Sequence, residues 1–197
     1  MRRPTRCRGW LVDDLLLHVL CDVQRALVAL ASPADGPADV DQVSYWRASP
    51  WSGGDAEARH ARWIRRSAAA FDRPAGLVEV WCDTAPAAAR AAAAADPSGY
   101  VTTQGLVLRV PDLLATLTTE AVVHHLDLVL ELPDAPLPGP RAVRVATGTM
   151  DGLLDDAVRP ARWDEHEFLL KAAGRLPLSE RDRSELAEVA SRFPLLG

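Results

Sequence analysis

Lysine is almost absent from this chain. Lys171 is the one lysine among 22 basic residues, and the 27 acidic residues outnumber them, for a formal charge of −5. A chain without a basic excess lacks the electrostatic footprint of a nucleic-acid binder, so that partner is not expected. Cysteine is scarce too. Cys7, Cys21 and Cys82 are odd in number, and no pair has the CxxC spacing, which argues against a disulfide or thiolate-metal framework. No apolar run reaches the roughly 18–20 residues of a membrane span. The basic start Met1-Arg2-Arg3-Pro4-Thr5-Arg6 leads into an apolar stretch broken by Asp13 and Asp14, so it does not read as a signal peptide. A cytoplasmic protein without a membrane partner is expected.

What the chain does have is alanine, at 33 positions, and arginine, at 21. That bias is what a GC-rich, actinobacterial type of coding sequence produces. The 197 residues are 48% hydrophobic and 25% charged, a globular balance that excludes wholesale disorder and fits one domain or one with a small appendage.

Helical periodicity dominates. Leu11, Leu15, Val19 and Val23, widened by Leu16, Leu20 and Leu27, make an amphipathic helix to Leu30, which Ser32-Pro33 ends. Residues 42–52, with Tyr45, Trp46 and Trp51, read as an ordered loop. Further helices are expected from about Asp55 to Phe71 and from Leu77 to Ala95, the latter with an interruption possible at Pro86. Its run Ala91–Ala95 favours helix but adds little bulk. Tyr100–Val110 is β-branched around Gln104-Gly105 and reads as a hairpin or extended arm. Pro111-Asp112 opens a strong helix to about Leu132. Four prolines make residues 133–140 a stiff connector, and helices follow over Arg141–Val158, Asp164–Ala173 and Ser179–Arg192. The expected architecture is a mostly α bundle over residues 1–132 with a short β insertion, a connector, and C-terminal helices over 141–197 packing on the bundle.

Five histidines occur, and two features stand out. Glu120 and His124 are four residues apart, so both leave one face of their helix about one turn apart. His18 lies on or beside the Leu11–Leu15–Leu16 stripe and should point inward. Should the two helices pack together, two imidazole nitrogens and one carboxylate oxygen meet, the ligand set of an open zinc-type site with room for water or a thiolate. Spacing alone leaves plainer alternatives open: an i,i+4 surface pair, and a hydrogen-bonded core histidine.

The stretch Pro4-Thr5-Arg6-Cys7-Arg8-Gly9-Trp10-Leu11-Val12-Asp13-Asp14-Leu15-Leu16-Leu17-His18 resembles the first signature, P-T-x-C-x-G-W-x-V-x-D-L-L-x-H, of the DinB-like, mycothiol-dependent maleylpyruvate isomerase family. Glu120, His124, Asp127 and Leu128 are similar to its second, E-x-x-x-H-x-x-D-L, and Gly174-Arg175, Pro177-Leu178, Asp182 and Pro194-Leu195-Leu196 fit its tail. The resemblance implies a DinB-like helical bundle whose divalent metal, zinc first among the options, is held by His18, Glu120 and His124. It also implies mycothiol or a similar low-molecular-weight thiol as cofactor. A thiolate stabilised at the metal would then add to a small electrophile, as an isomerase or S-transferase.

Other residues take supporting roles. Asp14 either accepts a hydrogen bond from His18 or favours the helix dipole at the start of its helix. Asp127 either orients His124 or bridges to an arginine. Arg109 and Arg175 are candidates for carboxylates of the substrate or thiol. His125 is expected at the rim, His60 and His166 in solvent, Cys7 as a small buried residue, and Trp10, Trp46, Trp51 and Trp63 as core or loop anchors. The family pattern places a long helix before the first signature, which this chain reaches almost at once. A homodimer covering the face so left is expected. Only about 57 residues follow Pro140, too few for the isomerase's larger C-terminal domain, which leaves two alternatives standing: a non-catalytic ligand- or partner-binding module, and a metal-dependent hydrolase.

Overall fold

A computed structural model describes residues 3–48, 54–132 and 134–196. Among them are eight α-helices and a three-stranded antiparallel sheet. The order is α1 (Val12–Leu30), β1 (Pro33–Ala34), α2 (Ser44–Ala48), α3 (Gly54–Ala69), α4 (Pro74–Ala94), β2 (Tyr100–Thr103), β3 (Leu106–Arg109), α5 (Val110–Leu128), α6 (Pro140–Leu153), α7 (Glu165–Ala172) and α8 (Glu180–Leu186). The mostly helical bundle with a hairpin insertion is what the periodicity predicts. None of these helices is long and apolar enough to cross a membrane.

Helix α1 is the central element. Leu17 and Leu20 pack with Ile64 of α3 and Leu77 of α4, while Ala29 joins Tyr45, Val101, Leu108 and Leu113 around the hairpin. Helix α5 is buried along much of its length, and Val122, Val123 and Leu126 share a core with Val143 and Met150 of α6 and Phe168 and Leu169 of α7. Helix α5 therefore belongs to two packing layers at once, one facing α1 and one facing the C-terminal helices.

Several local features differ from expectation. Residues 44–48 of the expected loop form α2, started by Asp41, whose Oδ1 accepts from the Val43 and Ser44 N–H groups. Trp51 lies outside the described residues. Helix α4 runs unbroken through Pro86. Pro86 and Cys82, whose carbonyl loses its donor, both lie at exposed positions, so the carbonyl is not left buried without a partner. Because α4 presents Ala85, Ala88, Ala89 and Ala92 rather than larger side chains, an apolar groove of about 480 Å³ remains between it and α1 and α5. Helix α6 stops at Leu153 rather than Val158, its last carbonyls taken by the Arg192 guanidinium. The final helix ends at Leu186 and tightens to a 3₁₀ turn over Ala187–Arg192, with Ala187 at φ 50°.

The insertion is a hairpin whose tip places Gln104 (φ 51°) and Gly105 (φ 79°) in the left-handed region, the geometry of a two-residue primed turn. Gln104 tolerates this less readily than asparagine or glycine. Its side chain is engaged elsewhere, as described next.

Candidate metal centre

The first motif folds as a loop ahead of α1. Thr5 Oγ1 donates to the Trp10 carbonyl and accepts from the Cys7 N–H, and Gly9 (φ 82°) makes the reversal between them. The loop is tied to the second motif: the Arg6 N–H donates to the Asp127 carbonyl at 3.3 Å and the Arg6 guanidinium to the Leu126 carbonyl. One sequence signature thus docks on the other, with α1 launched beside α5.

Asp14 accepts from the Leu11 N–H at 2.9 Å, satisfying a donor at the helix start. It does not orient His18. The carboxylate beside that imidazole is Asp22, one turn later, with Oδ2 3.6 Å from His18 Nε2.

His18, Glu120 and His124 come together, each offering one ligand atom, all within 4.8 Å of one another. His124 Nε2 lies 3.0 Å from Glu120 Oε2, and the His18 and His124 rings meet edge to face at 4.9 Å between centroids. On its other side His124 Nδ1 is 3.1 Å from Asp127 Oδ2, which is wholly buried. Arg175 Nε donates to both Asp127 oxygens at 3.0 and 3.2 Å. Both alternatives for Asp127 therefore hold at once: it orients His124 and is itself held by an arginine.

The surroundings set the charges. Burial pushes His18 down to about 3, helped by the neighbouring imidazoles His124 and His60 against the pull of Glu120, so it stands as a neutral imidazole. Burial also opposes charge on His124, but its bonds to Asp127 and Glu120 outweigh that and raise it to about 9. Burial drives Glu120 upward, and the His124 bond more than reverses it, so the carboxyl stays ionised. Asp22 is pushed up to about 7 by burial and by Glu120. Two carboxylates flanking one imidazole thus demand a positive charge there, which a proton supplies on His124 alone. A divalent cation meets the same demand, with His124 giving up its proton on binding. Two imidazole nitrogens and a carboxylate oxygen, with Asp127 behind one imidazole, form a donor set that fits such an ion.

A cavity of about 230 Å³ adjoins the cluster, lined by His18 and Glu120 together with Cys21, Asp22, Arg25, Tyr45, Trp46, His60 and Gln104. Arg25 donates to Asp22 Oδ1 (3.1 Å), Tyr45 Oη (2.8 Å) and Gln104 Oε1 (3.1 Å), and the Tyr45 hydroxyl donates to Gln104 Oε1. The hairpin tip and α2 thereby build one wall of the pocket.

The arginine on this wall is neither of the two expected. Arg109 is exposed at the end of β3, and Arg175 bonds Asp127 and the Ala173 carbonyl; residue type alone does not encode such placement. His60 is not solvated: Nε2 lies 3.4 Å from His18 Nδ1, and its ring stacks on Trp63. Packing of α3 against α1 brings it there, which the Arg-rich character of α3 conceals. His166 is not solvated either, since its Nε2 is buried. Trp10 sits edge-on to His18 at 5.0 Å, a loop anchor that also walls the centre. His125 points to the apolar groove and bonds the Pro136 carbonyl at 2.8 Å. Cys7 is half-buried, and burial raises its thiol despite Arg175 nearby, which makes it a poor nucleophile.

Asp22 and Arg25 were within reach of sequence reasoning, since they follow His18 at i+4 and i+7 on the same face of α1. Tyr45, Gln104 and His60 arrive from other elements and carry no such signal.

Comparison with known proteins gives one match. The profile described as the mycothiol maleylpyruvate isomerase N-terminal domain covers residues 1–129. No curated protein and no solved structure matches the chain. The matched span contains both signatures and all three residues of the His18–Glu120–His124 cluster, and the chain belongs to the mycothiol maleylpyruvate isomerase N-terminal domain family.

Proposed function

We propose that this chain is a metal-dependent enzyme of the mycothiol type, an S-transferase or isomerase that brings a low-molecular-weight thiol to a small electrophile. The observation that carries the reading is the convergence of two imidazoles and a carboxylate from distant motifs, within 4.8 Å, beside a cavity. An ion in that site supplies Lewis acidity that keeps a thiol sulfur deprotonated at neutral pH. Two borderline imidazole nitrogens and a carboxylate oxygen, with an exogenous sulfur, favour zinc, itself a borderline ion.

The chain's own residues do the rest. Asp127 fixes His124 by accepting from Nδ1–H, leaving Nε2 as the donor atom toward Glu120. Arg175 holds Asp127 in place. Trp10 and His60 shield His18 from bulk water, which strengthens each electrostatic interaction inside. The size of the cavity sets the class of electrophile as small.

The test is elemental analysis of the purified protein together with thiol-dependent consumption of an electrophile panel. One divalent ion per chain is expected, with ion and turnover lost together in His124→Ala. A full complement of metal with turnover that ignores thiol indicates a hydrolase instead. Metal without turnover on any electrophile indicates a binding module.

A further inference from the structure

Each imidazole of the metal centre has a polar neighbour outside the ligand trio, and the two neighbours differ. Beside His124 stands Asp127, held by Arg175. Beside His18 stands His60 of α3, whose Nε2 lies 3.4 Å from His18 Nδ1. The two rings are 5.5 Å apart between centroids, with 75° between their planes. That separation is close to the largest that a 3.4 Å contact allows, because each nitrogen lies only one ring radius from its centroid. The nitrogens therefore stand almost on the line between the centroids. A ring N–H and a ring lone pair both project outward from their nitrogen, so the two atoms face each other along the direction a hydrogen bond requires.

The direction of that bond follows from what His18 must do. A neutral imidazole has one N–H and one lone pair. A cation held jointly with Glu120 and His124 takes the lone pair of one His18 nitrogen, and the other nitrogen must then carry the hydrogen and find an acceptor. Nδ1 faces His60, which leaves Nε2 for the ion. Asp22 does not contest this assignment: its Oδ2 is 3.6 Å from His18 Nε2, beyond hydrogen-bond reach. Burial disfavours a proton on His60, which keeps the Nε2 lone pair available as acceptor. The contact is longer than the roughly 2.7–3.2 Å of an ordinary N–H bond. An ion on His18 Nε2 draws electron density from the ring and strengthens Nδ1–H as a donor, so ion and bond reinforce each other. Packing presets the approach. Ile64, one turn after His60, is wholly buried and packs with Leu17 and Leu20 of α1, while the Trp10 and Trp63 rings lie 6.2 and 6.0 Å from the His60 ring.

We propose that His60 is a positioning residue of the metal centre, accepting a hydrogen bond from His18 Nδ1–H and so fixing the tautomer in which His18 Nε2 takes the ion. This rests on the reading of His18, Glu120 and His124 as a metal centre. His60 is not one of those three ligands and acts through His18.

The tautomer of His18 is read by nitrogen NMR of the purified, metal-free protein at neutral pH, and ion affinity by competition of zinc with a chelator. In the parent chain the His18 hydrogen is expected on Nδ1. His60→Leu keeps an apolar side chain against Trp10 and Trp63 and removes the acceptor. The hydrogen should then redistribute between the two His18 nitrogens, and zinc affinity should fall about tenfold. His60→Gln, whose amide oxygen reaches to where Nε2 stands, should restore the tautomer and most of the affinity.

A hydrogen resident on His18 Nε2 in the parent chain overturns the proposal, and that measurement needs no variant to fold. So does a tautomer or an affinity unchanged in His60→Leu. An affinity loss equally deep in His60→Leu and His60→Gln also overturns it, since it marks His60 as packing alone. The metal reading fails separately: a parent chain with the expected tautomer that binds no zinc keeps the bond and overturns the metal centre, whereas a zinc-binding chain whose His18 tautomer ignores His60 does the reverse.

Discussion

Two clusters of buried polar atoms, one around Asp182 and one around Asp22 and Arg25, differ in completeness. Near the C-terminus Asp182 is 1% exposed, and both its oxygens are saturated. Oδ2 accepts from Lys171 Nζ and the Ser179 N–H, each at 2.7 Å, and Oδ1 from Trp163 Nε1 at 2.8 Å and from Arg162. Lys171 also donates to Glu167 at 2.6 Å. No member of this cluster is among the unmatched buried atoms, whereas Asp22, Arg25 and Trp46 all are. A closed network rigidifies and specifies the fold. The same residue types are therefore fully hydrogen-bonded in one place and incompletely bonded in the other.

The largest effect on stability should follow from opening the closed cluster. Asp182→Asn leaves Lys171 and Arg162 facing a group that cannot match their charge, and should cost about 3–5 kcal/mol, read as a lower urea midpoint at unchanged slope. Metal content should not change. Acid sharpens the same point. Burial pushes the Asp182 carboxyl up, but donation from Lys171, Ser179 and Trp163 outweighs it and holds the pKa well below the ordinary 3.8. The stabilisation is therefore complete above pH 3.8 and drains away as pH falls toward the depressed folded value. The Asn variant should lose that part of the acid dependence. An Asn variant as stable as the parent at neutral pH would abolish the contrast between the clusters.

An intermediate effect is expected at Asp127, which stands behind the His18–Glu120–His124 cluster. Asp127→Asn preserves shape but withdraws the charge that faces His124 Nδ1. Metal affinity, measured by competition with a chelator, should fall by about 10–100-fold. An unchanged affinity would make Asp127 an anchor for Arg175 alone.

The contrast between the clusters was only partly legible in the sequence. Periodicity exposed the helices because each buries a stripe whose spacing is local, and the hairpin because β-branched residues flank Gln104-Gly105. The trio of His18, Glu120 and His124 was reachable through helical spacing joined to the two signatures. The polar wall was not. Tyr45 and Gln104 reach Arg25 from 20 and 79 positions away, and His60 reaches His18 from 42, contacts that tertiary packing alone decides. With 21 arginines, residue type alone does not show which one lines the cavity, and Arg25 does so. Asp14 shows the converse, since a carboxylate three residues into a helix is claimed by the backbone before any distant imidazole can use it.

The smallest effect tests whether burial or mere membership in a network decides the outcome. Arg181 neighbours Asp182 in sequence but points outward, 73% exposed, and pairs with Glu185 Oε1 at 2.8 Å across one turn of α8. Glu185 also lies 3.3 Å from Arg162, which in turn donates to Asp182, so the exposed pair is chained to the buried one. Water screens Arg181, and its long side chain loses rotamer freedom in forming the pair. Arg181→Ala should therefore cost about 0.3–0.5 kcal/mol in urea unfolding, nearly an order of magnitude below Asp182→Asn. A loss above about 1 kcal/mol would exceed what an exposed i,i+4 pair supplies. It would mean that Glu185, released by Arg181, no longer positions Arg162 on Asp182, and that the closed cluster extends to the surface of α8.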